Sequence, residues 1–297
     1  LPMNSTLKLW TQLGLGTMVA GGLLAACGGE AGEGAASGEA GAAGTAATAG
    51  EGEGGEAAGG EGGEAAGGET GGSETAGGEG EGGVAVVDAA INPVAYGTAL
   101  AVAEAHVVAA RDAYVAGQKE AAAEMFAHPV SEVLLEMDPT FTALGVADIK
   151  PLFTAASDAA LAGKPAAEVN KAYDAIIAAL RGAAGKAPKS DASTATVATG
   201  VIADQIERAS AMYRQLPKNT AYEPYLDGYG FAKVAASAFA TSGAAIKAEN
   251  PAAHARITEA LGLLGKAYPG AGRPAKLPVE PGAVSGASAK VMLATAS

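Results

Sequence analysis

The chain is poor in the residues that usually give a protein's chemistry away: its 297 residues include one cysteine, three histidines, one tryptophan and five phenylalanines. A single cysteine excludes an internal disulfide and any thiolate cluster. The sequence contains no His-Glu-x-x-His, no Gly-x-Ser-x-Gly and no phosphate-binding loop. Those absences remove the usual zinc-protease, hydrolase and nucleotide-binding readings, and the chain reads as a non-enzyme that binds no nucleotide. Its 19 basic residues are scattered and outnumbered by 32 acidic ones, so nucleic acid, which needs clustered Lys and Arg, is excluded as a partner. No stretch alternates apolar and polar residues with a period of two, so no sheet is expected.

The most extreme depletion lies in residues 28–83, which contain only Gly, Ala, Glu, Ser and Thr. With nothing apolar to offset the entropy of ordering, this segment is expected to be a disordered tether. It holds twelve glutamates and no base, so most of the formal charge of -13 belongs to it and the rest of the chain is close to neutral. The octapeptide Gly54-Gly55-Glu56-Ala57-Ala58-Gly59-Gly60-Glu61 recurs unchanged from Gly62 to Glu69, low complexity without the apolar positions a solenoid repeat requires. A flexible coil of this length spans roughly 40 Å, and more once like charges repel.

Ahead of the tether, Met3 reads as the start, and a lone Lys8 precedes an apolar run over residues 9–26 that ends in Leu24-Ala25-Ala26-Cys27. Repeated glycines (Gly14, Gly16, Gly21, Gly22) and the lack of a basic stop after Cys27 favour a signal peptide over a spanning helix. The run resembles the lipobox of bacterial lipoproteins. That resemblance implies removal of residues 1–26, diacylglycerol and palmitate-type acylation at Cys27, and anchoring in a membrane with the domain facing the periplasm. Gly28 stands where an inner-membrane retention signal would have Asp, so the resemblance points to the outer membrane, or to the outer face of the cytoplasmic membrane in a host with only one.

The residues beyond the tether predict an all-α fold of about six to seven helices. Start signals recur at Asn92-Pro93, Asp148, Lys164-Pro165, Thr220 with Glu223, and Asn250-Pro251. Apolar stripes of helical period connect them: Leu100, Ala103, Val107, Ala110 and Tyr114; Val169, Tyr173, Ile176 and Leu180; Ile202, Ile206, Ala209, Tyr213 and Leu216; Ile257, Leu261, Leu264 and Tyr268. Pro188 lies in a polar break, dividing an N-terminal helical group (84–185) from a C-terminal one (186–268). A proline-rich tail (269–297) should run extended and close on a weak helix from Ala287 to Ala296. The cluster Tyr222, Tyr225, Tyr229 and Phe231 reads as a core face with a capped start, and Glu223 and Asp227 as capping or solvated groups.

His106 and His128 stand eleven residues on either side of Gly117. If Gly117 turns a helical hairpin, the two imidazoles sit level, and Met125, His128, Glu132 and Leu135 share a face of the second helix. Two imidazoles and a carboxylate converging between helices suit a first-row metal such as iron or zinc. Pro129 should bend or stop the helix at His128, since it disfavours helical geometry there and removes the bond to the Met125 carbonyl. The alternative, the commoner role for histidines in helical proteins, is that both are packed or surface side chains and Pro129 simply ends a helix.

Two further resemblances touch this region. Tyr114, Gly117, Ala122 and Phe126 are similar to part of a tetratricopeptide hairpin, one residue short in the Tyr-to-Gly spacing and without a second copy. The segment from Ala221 to Phe231, in an exported helical chain, resembles imelysin-like proteins and periplasmic iron-uptake components. That resemblance implies two helical bundles and iron or other metal binding at the envelope. The family's Gly-x-His-x-x-Glu motif is replaced here by Glu104-Ala105-His106-Val107-Val108-Ala109. The combined reading is a lipid-anchored envelope protein with a helical domain that binds metal as an accessory to uptake or storage. Its rivals are a non-catalytic scaffold holding another envelope protein, and an imelysin-type peptidase.

Overall fold

A computed structural model describes residues 86–296. Cys27 and the segments read as signal peptide and acidic tether lie outside the described residues. Among the described residues no strand occurs. A 3-10 turn (Val86–Asp88) leads into the nine α-helices of the described residues: α1 (Pro93–Val115), α2 (Lys119–Pro129), α3 (Leu135–Leu144), α4 (Lys150–Leu161), α5 (Ala166–Ala184), α6 (Thr194–Gln215), α7 (Glu223–Glu249), α8 (Pro251–Ala267) and α9 (Pro281–Thr295). A π-helical turn (Val130–Leu134) joins α2 to α3. The all-helical expectation holds. The count exceeds six to seven because the second helix divides at the π turn and the tail winds into a complete helix.

Local chemistry sets several of the boundaries. The Asn92 side chain accepts from the amides of Val94 and Ala95 at 2.9 and 3.4 Å, and Pro93 opens α1. Asn250 caps α8 by accepting from the Ala253 amide at 2.9 Å, again with a proline next in sequence. Gly117, with φ 85°, makes the turn between α1 and α2, a left-handed conformation that other residues rarely adopt. The tail departs from expectation. Pro281 opens α9 instead of prolonging an extended stretch, because a proline lacking its N–H loses nothing in the first turn of a helix.

Pro129 also behaves differently from the predicted break. The chain remains helical through it, and the following π turn, in which the Leu135 amide reaches back to Val130, absorbs the lost bond. The wider turn shifts the register beyond it. Leu135, expected to share a face with His128, is therefore 53% exposed, while Val133 and Leu134 are buried.

The helix α1 lies at the centre of the molecule, packed against α2, α5, α6 and α7. Instead of one apolar stripe it buries residues on every face, from Tyr96 to Ala110 without interruption. Small residues allow that enclosure. A Cβ at Gly97 would meet Val201 of α6, one at Gly200 would meet Val94, and one at Gly230 of α7 would run into the Ala105 carbonyl. Around this axis α2, α4 and α5 pack on one side, while α6 to α9 pack on one another on the other.

Candidate metal centre

The hairpin geometry brings His106 of α1 and His128 of α2 together, with ring centroids 5.9 Å apart. His106 is almost fully buried. Its Nδ1–H donates to the Val102 carbonyl at 2.8 Å, and since a carbonyl can only accept, that bond places a proton on Nδ1 and turns Nε2 into the site. The edge of the ring packs on Phe231, centroids 5.7 Å apart, which fixes its orientation.

Three carboxylates surround the pair. Glu132, in the π turn, approaches His106 Nε2 at 3.2 Å and His128 Nδ1 at 3.6 Å. Asp227 of α7 lies 3.5 Å from His106 Nε2, and Glu223, at the start of α7, lies 3.5 Å from His128 Nε2. The placement of Asp227 corrects its reading as a solvated or capping group, whereas Glu223, its side chain 54% exposed, is solvated as expected. Glu223 makes no capping bond, and the Asp227 side chain is only 16% exposed. Sequence reasoning misses both because they lie far from the histidines along the chain, and only the crossing of α7 over α1 brings them in. One signal is present: His128 and Glu132, and Glu223 and Asp227, are each spaced four apart, so each pair projects from one helix face.

The electrostatics show what this cluster demands. Burial by itself lowers the pKa of His106, but Glu132 and Asp227 outweigh it and hold the imidazole above its ordinary value. Burial acts to raise Glu132, yet its contact with His106 prevails and the carboxyl is held low. For Asp227 burial prevails and pushes the carboxyl up to about 6, against the pull of the His106 charge. Two buried atoms, Nδ1 of His128 and Oδ1 of Asp227, complete no hydrogen bond. Unsatisfied polar atoms of this kind are costly in a helical core unless something else occupies the space between them.

These separations suit a single cation. Ligand atoms bonded tetrahedrally at about 2.1 Å lie about 3.4 Å from one another, and the His106–Glu132, His106–Asp227 and His128–Glu132 distances of 3.2, 3.5 and 3.6 Å bracket that value. One ligand atom each from His106, His128 and Asp227 lies within 4.8 Å of the others. Three donors sharing one ion at such bond lengths lie about 3.4 to 3.8 Å apart, so the wider pairs would close inward as the ion binds. The donors are imidazole nitrogen and carboxylate oxygen with no sulfur, a set suited to iron, zinc and their first-row neighbours. The hydrogen bond from His106 Nδ1 to a backbone carbonyl is the kind of outer contact that orients a metal-binding histidine.

Residues 220–296 match a family described as the iron permease-associated 4-helix bundle domain. No curated protein and no solved structure matches the chain. The matched stretch begins beside the segment that carries the iron-uptake resemblance, and it contains α7, α8 and α9. The helix α6, which precedes the match, packs against all three. Glu223 and Asp227 belong to the matched stretch, whereas His106, His128 and Glu132 come from the hairpin outside it.

Proposed function

We propose that this chain is a lipid-anchored envelope protein whose helical domain binds a first-row metal ion, with iron as its cargo, in the service of uptake or storage. The observation that carries the reading is the convergence of His106, His128 and Asp227 within reach of one ion, with Glu132 in contact with both imidazoles. The match of residues 220–296 to an iron permease-associated domain supports iron over zinc, and supports a membrane permease as the partner that receives the ion. The anchor rests on the lipobox ending at Cys27, and a binding role on the lack of any nucleophile or hydrolase motif in the sequence.

The residues present fit such an ion. His106 and Asp227 supply the innermost donors, Glu132 bridges towards both imidazoles, and His128 completes the set from the outer side. Calorimetric titration of the metal-free chain with ferrous and zinc ions tests this directly. The native chain is expected to bind one ion, and His106→Ala to lose at least tenfold in affinity, on the order of 1.4 kcal/mol, with unchanged helical circular dichroism. Equal affinity in the two proteins would refute the assignment.

A further inference from the structure

The donors around the candidate metal centre are graded in exposure. The side chain of His106 is 4% exposed, those of Glu132 and Asp227 16%, His128 22% and Glu223 54%. The His128 ring stands at the boundary. Its buried Nδ1 faces Glu132, and its Nε2 faces Glu223 at 3.5 Å. Glu223 thus meets the outward nitrogen of that ring and sits at the mouth of the site, on the first residue of α7 beside Pro224.

Resting on the proposed metal-binding function, we propose that Glu223 is the capture ligand of the site and not one of its permanent donors: the ion is first held at the lip by Glu223 and Nε2 of His128, and passes to Glu132, Asp227 and His106 behind the ring. A hydrated cation entering a pocket of largely buried donors without a ligand at its mouth would have to shed water before gaining protein ligands in exchange, which is expensive for a small ion. An exposed carboxylate paired with an imidazole lets waters leave stepwise. The two ring nitrogens of His128 already face opposite ways, Nε2 towards the lip and Nδ1 towards Glu132, so one residue can serve the lip and the inner set in turn. The same path in reverse delivers the ion to a partner. The step is ligand exchange alone, with protein donors replacing water and no change of oxidation state.

A capture ligand and a permanent ligand have different kinetic signatures. Cobalt(II), whose visible bands report coordination, can be mixed with the metal-free chain in stopped flow. Roughly 1 M salt shrinks the Debye length to about 3 Å and removes long-range steering by charge. Glu223→Gln is expected to slow both association and dissociation about tenfold, leaving Kd within about threefold of the native value. Glu120→Gln, an equal loss of charge farther along α2, should leave both rates unchanged. Unaltered rates in Glu223→Gln would overturn the proposal, as would faster dissociation with unaltered association, the mark of an ordinary ligand. Failure of the native chain to take up cobalt would overturn the metal assignment itself, a result distinguishable from either.

Discussion

Gly230 shows how a single atom governs the site. It lies where α7 crosses α1, three residues after Asp227, and a Cβ there would be driven into the carbonyl oxygen of Ala105, the residue preceding His106. A backbone carbonyl within a buried helix cannot swing aside, so the strain outweighs the roughly 1 kcal/mol that alanine gains over glycine in helix propensity. Gly230→Ala is expected to lower stability by about 1–2 kcal/mol in urea titration and to weaken metal binding by displacing Asp227 from His106. Gly262, mid-helix in α8 with nothing near its absent Cβ, should show the opposite sign: Gly262→Ala should stabilise by about 0.5–1 kcal/mol. If both substitutions shifted the urea midpoint in one direction, the crossing would not be the close contact described. At the same scale, Glu104 of α1 and Arg181 of α5 form a bidentate pair at 2.6 and 2.8 Å, a buried charge contact that apolar periodicity gave no means of foreseeing.

At the scale of elements, tyrosines fasten the tail to the helices. Tyr222 and Tyr225 at the start of α7 donate to the carbonyls of Ala271 and Gly270 at 2.7 Å, and Tyr213 of α6 donates to Val279 at 2.9 Å. Arg273 reaches back to the carbonyls of Leu216 and Asn219 at 2.9 and 2.8 Å. The aromatic cluster read as a core face is therefore both core and clamp: Tyr225, Tyr229 and Phe231 are buried, the hydroxyls of Tyr222 and Tyr225 hold the tail, and that of Tyr229 donates to Asp112 at 2.6 Å. Burial pushes Tyr225 up to about 12, and it does the same to Tyr96, which donates to Ala183 of α5 at 2.8 Å. A raised folded-state pKa contributes stability that is fully present below the unfolded value near 10 and is lost as pH rises towards 12. Stability should thus hold steady up to about pH 10 and then fall. The tyrosinate absorbance of these residues should appear together with the loss of helical circular dichroism, and ionisation well before unfolding would contradict their burial.

For the whole molecule, the decisive element is α1. It is long and apolar enough to cross a membrane by composition, yet 83% of its most apolar window is buried among the other helices. It is the axis of a helical domain, and membrane attachment in this reading comes from Cys27 instead. Cys27→Ser is accordingly expected to release the protein from the membrane fraction or to leave it uncleaved, as judged by fractionation and mature mass. Normal processing with unchanged membrane retention would remove the lipid anchor from the proposed function.

The all-helical character, the Gly117 hairpin and the level placement of His106 with His128 were determined by the sequence alone. Each depends on local rules, namely a 3.6-residue period, a left-handed glycine and capping side chains followed by proline, which act within a few residues of chain. The inward direction of the two rings, the continuation of the helix through Pro129 as a π turn, and the recruitment of Asp227 and Glu223 were decided only by tertiary structure. The reason is physical. Which way a helix turns its side chains, and which distant carboxylate meets them, depends on how closely neighbouring backbones approach, and here that is set by glycines such as Gly230 on helices far apart in sequence.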